Sequence, residues 1–291
     1  MMAGLGVCDP HIHVFDGTAY LYATRDASPF SRGYRMEEWW IWSSTDLQRW
    51  RLRYRLSPAQ TYMGRGFSDC WATDAARRGG RYFWYLSEGN RRTAVVSADS
   101  PVGPWRDTLG RPMIESDMVP VGAYDPSVYV ESDGSSYVVF GVWQFYMARL
   151  ADDMVSLAER PRRLEILRPK GPYGAGRTDD KPFLHSRKGV YYLSWGCYYG
   201  MSDNLYGPYD CKGSFVRESM VDPRLRPREI PVTLDRHGSF FRWRGSWYFA
   251  MNDMGRSGNP YYRDFSICRV RYGSGGEIMP VRVSPEVNLA E

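Results

Sequence analysis

The chain has 291 residues, 43% hydrophobic and 24% charged, the proportions of a globular protein long enough for one large domain or two ordinary ones. No apolar run approaches the roughly 20 residues that cross a bilayer, which excludes a membrane span by helix. The formal charge of +5 comes from 38 basic residues interleaved with 33 acidic ones, and that scatter argues against a nucleic-acid surface.

The opening MMAGLGVCDP carries neither the basic region nor the apolar stretch of a secretory signal. The five cysteines, Cys8, Cys70, Cys197, Cys211 and Cys268, are odd in number and lack metal-type spacing. Both features predict a cytoplasmic protein with reduced thiols. Aromatic content is high, with 11 Trp, 22 Tyr and 12 Phe, a composition that suits strands and offers apolar faces on which sugar rings can stack.

One pattern recurs along the chain: DGTAYLYAT, GGRYFWYLS, DGSSYVVFG, KGVYYLSWG and RGSWYFAMN, beginning at residues 16, 79, 133, 188 and 244. Each is a glycine turn running into an aromatic strand, the second arm of a hairpin. The anchor tyrosines Tyr20, Tyr82, Tyr137, Tyr192 and Tyr248 are spaced by 62, 55, 55 and 56 residues. A period of that size is one four-stranded blade, and five copies predict a single all-β domain over residues 1–291, a five-bladed β-propeller of antiparallel blades. The innermost strands are predicted at 9–15, 71–77, 125–131, 181–187 and 238–243. The S-P-x-G-P-W/Y-like tails at 97–105 and 202–209 read as hairpins leading to outer strands.

Each predicted inner strand opens with a polar residue: Asp9, Asp74, Asp125, Asp180 and His237. They precede their anchor tyrosines by 11, 8, 12, 12 and 11 residues, so Asp74 is out of step and the other four are in register. Inner strands line the axis of a propeller, so the four in-register residues should face one another at one mouth of the channel. Carboxyls crowded there push each other's pKa values apart, and a glycosidase needs one protonated carboxyl and one ionised. Asp-Pro and Asp-Lys-Pro also open ordinary turns, but repeat symmetry gathers these in one place. His11 and His13 point to one face of their strand, as in some zinc sites; with no further ligand cluster in sequence they read as strand residues. Trp71 and Trp143 lie near the ring in sequence and are candidate sugar platforms. Loops 25–42 and 168–178 should shape the pocket.

These segments resemble glycoside hydrolase family 43, five-bladed propellers that mostly cleave arabinose- or xylose-containing glycans with inversion. CDPHIHVFDGTAYLYAT is similar to the family's first inner strand, which places Asp9 on the catalytic base. CWATDAARRGGRYFWYLSEGN looks like the second-blade C-W-A-P-D motif, with Thr73 in place of proline. YDPSVYVESDGSSYVVFG matches the third-blade D-P-S-V motif, so Asp125 falls on the aspartate that tunes the acid. RHGSFFRWRGSWYFAMND is similar to the fifth-blade segment whose histidine, here His237, sits by a central water or divalent cation; no cofactor is otherwise implied. RDFSICRVRYGSGGEIMPV resembles the closing strands.

The family's acid is typically a glutamate two residues before a proline, and DDKPFLHSRKGVYYLSWG places Asp180 there. A side chain shorter by one methylene moves the carboxyl by roughly 1 Å, a shift that can cost about a hundredfold in rate. Three readings follow: Asp180 is the acid in a tightened site, Glu229 reaches in from a loop, or the site is impaired or uses another group such as His237. Register selects Asp180. The resemblance implies an oligosaccharide or glycoside substrate, and the competing class is a non-catalytic carbohydrate-binding propeller.

Overall fold

A computed structural model describes residues 4–227, 229–287 and 289. The chain forms a five-bladed β-propeller. The first blade runs outward through Val7–Phe15, Thr18–Asp26, Met36–Ser44 and Arg51–Leu56. The third has Ser127–Val130, Ser136–Phe140, Tyr146–Arg149 and Arg162–Arg163, and the fourth Pro182–Arg187, Val190–Trp195, Tyr198–Ser202 and Tyr209–Ser214. Ile166–Leu167 adds a parallel edge to the fourth blade.

In the second blade, Cys70–Arg78, Arg81–Glu88 and Arg92–Ala98 are regular, whereas the outermost position is held by single bridges from Arg106 to Ser97 and from Ile114 to Thr93. Pro101, Pro104 and Pro112 punctuate that outer segment and cannot donate to a ladder. The fifth blade has Gly238–Trp243, Ser246–Asp253 and Asp264–Val270; beyond it Val281–Val283 pairs in parallel with Val216–Val221.

Local chemistry explains the inner hairpins. In four of them the two turn residues both have positive φ: Asp16–Gly17, Gly79–Gly80, Lys188–Gly189 and Arg244–Gly245. That is the turn whose twist matches the strands it joins. The anchor tyrosines take equivalent places, with Tyr20 opposite His13, Tyr82 opposite Arg77, Tyr137 opposite Tyr129, Tyr192 opposite His185 and Tyr248 opposite Phe241.

The core lies between blades rather than within one. Along the second strand of the second blade, Tyr82, Trp84 and Leu86 pack toward the first blade while Phe83 and Tyr85 pack toward the third. Such period-two alternation, buried on both faces, gives one apolar cluster at every blade junction. Both chain ends close the ring. Asp264 accepts from the amides of Gly4 and Leu5, and Val287 joins the cluster between the fifth and first blades. Among the described residues, no helix is long and apolar enough to cross a membrane.

Candidate active site

Asp125, Asp180 and His237 each stand just before an inner strand, and Asp9 is the third residue of Val7–Phe15, where the pairing register slips between Cys8 and His11. All four line one pocket, together with Tyr34, Met36, Trp71, Ala72, Asp235 and Arg263. The pocket encloses about 350 Å³ counted to its open mouth. Asp9 and Asp125 adopt φ of 49° and 57°. Left-handed backbone at non-glycine residues costs energy and collects at functional sites, where the surrounding structure enforces it.

The imidazole of His237 is the hub. Its Nδ1 lies 3.0 Å from Asp235 and 3.7 Å from Asp9, and its Nε2 lies 2.7 Å from Asp180 and 3.5 Å from Asp179. Asp9 and Asp180 therefore stand on opposite sides of one ring. Burial alone would lower the His237 pKa, but the charges of Asp180 and Asp235 outweigh it and hold the value well above 6.5, so His237 is an imidazolium at neutral pH.

The guanidinium of Arg263 is the second buried cation. It contacts both oxygens of Asp9 at 3.2 and 3.3 Å, both of Asp235 at 3.4 and 3.3 Å, and Asp26 at 3.1 Å. Asn252 accepts from the Asp9 amide at 2.7 Å and donates to its carboxylate at 2.8 Å. Burial works to raise the Asp9 pKa. The charge of Arg263 and hydrogen bonds from His237 and Asn252 prevail and hold it well below the usual carboxylate range.

Asp125 is shifted the other way. Burial first, then the negative charge of Asp180, push its pKa well up, while Lys181 and His237 oppose the shift. Its oxygens accept from the Lys181 amide at 3.0 Å and the Ser87 hydroxyl at 3.5 Å. Asp9 and Asp125 thus differ in proton affinity although both are buried carboxyls in one pocket.

The remaining expected residues divide. Trp71 lines the pocket, edge-on to Tyr34 and Tyr124 at 6.2 and 5.7 Å. Trp143 does not; it is exposed beside the acid strand, edge-on to Tyr173 at 5.3 Å with the guanidinium of Arg177 4.8 Å over its ring. Glu229 is exposed and does not line the pocket, so the suggestion that it reaches in fails. Asp74, out of step in sequence, lies farther along its strand, where its carboxylate is 2.6 Å from both His11 and His13.

Among the described residues, three groupings could bring ligand atoms together: Asp9–Asp235–His237, Asp179–Asp180–His237 and His11–His13–Asp74. The first two need a bare ring nitrogen on His237, whose Nδ1 and Nε2 face Asp235 at 3.0 Å and Asp180 at 2.7 Å, and Asp9 and Asp235 already share Arg263. In the third, donor atoms 2.6 Å apart are at hydrogen-bond spacing, closer than tetrahedral ligands around a zinc at about 2.0–2.2 Å can stand. The donors therefore do not suit a divalent cation held through His237.

Sequence reasoning missed Arg263, Asp235, Asp179 and Lys181. Asp235 lies two residues before His237 in L-D-R-H-G, and Asp179 adjoins Asp180 in T-D-D-K-P. Arg263 precedes the third strand of the fifth blade, outside every register that was compared.

The sequence profile described as glycosyl hydrolases family 43 matches residues 6–278. A xylosidase/arabinosidase of Bacteroides ovatus is 26% identical, with 98% of each chain covered. A β-D-galactofuranosidase of Aspergillus niger is 27% identical over 96% of this chain and 83% of its own. Among solved structures, the GH43_1 enzyme of Xanthomonas citri complexed with xylose superposes with a TM-score of 0.78 at 23% identity, covering 98% of this chain and 94% of its own. That likeness shows a shared fold.

Proposed function

The chain belongs to glycosyl hydrolases family 43 and is a glycosidase of the arabinofuranosidase/xylosidase-like kind, and from that premise we propose that residues 1–291 form one catalytic unit that removes a terminal or exposed pentosyl residue with inversion. The observation that carries the reading is the opposed pair, Asp9 and Asp180, held on either side of the His237 ring at one mouth of the propeller. An inverting pair needs a gap of about 6.5–9.5 Å for water, and contacts of the two carboxyls to different nitrogens of one ring support that reading.

Asp9 is the base. Ionised by Arg263 and fixed by Asn252, it takes a proton from the water that attacks the anomeric carbon. Asp180 is the acid. Beside it, burial first and then the charge of Asp180 push the Asp125 pKa well up. Asp125 accepts from the Lys181 amide at 3.0 Å and so ties the segment that carries Asp180, which stands at the open mouth to protonate the leaving oxygen. The imidazolium of His237 then stabilises the carboxylate that Asp180 becomes. No cofactor enters these steps. Trp71 and Tyr34 form an aromatic wall for the bound sugar, and the B. ovatus relative's activity suggests arabinofuranosyl or xylosyl units.

The test is a panel of nitrophenyl α-L-arabinofuranoside, β-D-xyloside and β-D-galactofuranoside, with Asp9→Asn as control. The expected result is hydrolysis of at least one pentoside by the native protein and a loss of about 10²–10⁴-fold in the variant. Saturable binding of oligosaccharides with no hydrolysis of any member would favour a carbohydrate-binding propeller instead.

A further inference from the structure

The catalytic pocket uses only one end of the channel. Asp9, Asp125, Asp180 and His237 stand at the heads of their inner strands, so the tails of those strands converge at the opposite mouth. The cross-strand partners of four anchor tyrosines, His13, Tyr129, His185 and Phe241, mark that second level, and all four line a cavity there. Ser186, Arg242 and Trp247 add to its lining. It encloses about 690 Å³ counted to its open mouth, against about 350 Å³ for the catalytic pocket. Five strand steps of about 3.3 Å, roughly 16 Å in all, separate His237 from Arg242, so one sugar does not reach both sites.

The chemistry of this mouth is the reverse of the first. Asp9, Asp125, Asp180 and Asp235 line the catalytic pocket, whereas among the described residues no carboxylate lines this cavity. Arg242 is exposed and, among the described residues, its guanidinium has no acidic partner; it lies 5.9 Å over the ring of Trp247. Arg78, which holds the same register position in the second blade, is by contrast tied to Asp152 at 2.7 Å. The ring of His185 stacks on Phe240 at 4.3 Å and on Tyr192 at 4.8 Å, and its Nε2 is 2.9 Å from the Tyr272 hydroxyl. Its buried Nδ1 has no hydrogen-bond partner among the described residues, a costly state for a polar atom unless a ligand or water completes it. One residue on, the Ser186 hydroxyl is 2.8 Å from that of Tyr129.

We propose that this mouth is a second binding site, separate from the catalytic pocket, for a monosaccharide-sized ligand that carries a carboxylate, that is, an acidic sugar. The Arg242 guanidinium supplies the forked pair of donors that matches a carboxylate. Trp247, half-buried with its ring 5.2 Å from that of His185, offers apolar surface to a sugar ring. The hydroxyls of Tyr129 and Ser186 supply partners for the sugar hydroxyls. The carboxylates of the catalytic pocket repel such a ligand, so an acidic sugar sorts to this mouth and a neutral one to the other.

The experiment is calorimetric titration with sodium D-glucuronate, D-glucose and inorganic phosphate at matched ionic strength. It compares native protein with Arg242→Gln, Arg242→Lys, Arg78→Gln and Asp9→Asn, each checked for folding by circular dichroism. Glucuronate should bind native protein saturably and at least about tenfold more tightly than glucose or phosphate, because only an acidic sugar meets both the guanidinium and the aromatic wall. Arg242→Gln should lose about tenfold or more, and Arg242→Lys should recover only part of that, since an ammonium makes no forked contact. Arg78→Gln and Asp9→Asn should bind as native protein does. Absence of saturable glucuronate binding, or an Arg242→Gln protein that binds it unchanged, would overturn the proposal. Equal affinity for glucose would make this a neutral-sugar site, equal affinity for phosphate a bare anion site, and an altered affinity in Asp9→Asn would place the ligand in the catalytic pocket; each contradicts the assignment. The titrations need no turnover, so a protein inactive on every glycoside would sink the glycosidase reading and leave this test standing.

Discussion

Asp9 and Asp180 are both aspartates at the head of an inner strand, yet their surroundings differ. Asp9 is buried against Arg263 and Asn252, whereas Asp180 is half-buried at the mouth against His237. A proton donor matters most when the leaving group is poor. Asp180→Ala should therefore keep much of its rate on nitrophenyl glycosides and lose it on natural oligosaccharides, while Asp9→Asn loses both; equal losses in Asp180→Ala would pass the acid role to another group. His237 gives a separate handle on stability. Its folded pKa is raised, so its stabilisation is full below about 6.5 and fades as pH climbs through the higher folded value. The Tm gap between native protein and His237→Gln should accordingly be largest near pH 6 and narrow in alkaline buffer. A gap that widened with pH would mean that the ring is neutral in the fold. Register made Asp9, Asp125, Asp180 and His237 legible, because equivalent positions in a repeat meet at the axis. It could not reveal Arg263, which reaches Asp9, Asp26 and Asp235 from outside the repeated segment. Lys181 was hidden for another reason: beside a proline it reads as part of a turn.

At the scale of elements, the hairpins were legible because their glycine turns and alternating aromatics state a local rule. The expected inner strand at 238–243 coincides with Gly238–Trp243, and 71–77 falls inside Cys70–Arg78. The loops obey no such rule, and their roles came only from the fold. Loop 27–35 delivers Tyr34 to the pocket and is tied to the fifth blade by Asn259, which donates to the carbonyls of Pro29 and Ser31 at 2.8 and 3.1 Å. The small hairpin of Lys170–Gly171 and Gly174–Ala175 holds Tyr173 out toward Trp143, and Thr178 bonds the Trp143 carbonyl at 2.9 Å. This pair stands beside the segment that carries Asp180, where the proposed mechanism has the leaving group depart. Tyr173→Ala should weaken kcat/KM for oligosaccharides several-fold, on the scale of one aromatic contact, and leave aryl glycosides nearly unchanged. Parallel losses on both substrate types would place the contact on the bound sugar instead.

For the whole molecule, the propeller makes the site by closing. Asp9 comes from the first blade, Asp125 from the third, Asp180 from the fourth and His237 with Arg263 from the fifth, so no pair of neighbouring blades contains the machinery. Closure rests on the cluster between the fifth and first blades, where Phe265 is 1% exposed among Val7, Leu21 and Trp243. Phe265→Ala should cost about 3–5 kcal/mol and lower Tm in a single transition, since the junction it empties also positions Asp9 against Arg263. Two separated transitions would show that the blades melt independently. The central claim is that Asp9 and Asp180 act from opposite faces of the sugar with a water between them. Proton NMR of the first sugar released from a nitrophenyl pentoside, recorded before mutarotation, tests it most directly. The account predicts that the initial product has the anomeric configuration opposite to that of the substrate, and an initial product of retained configuration would contradict it.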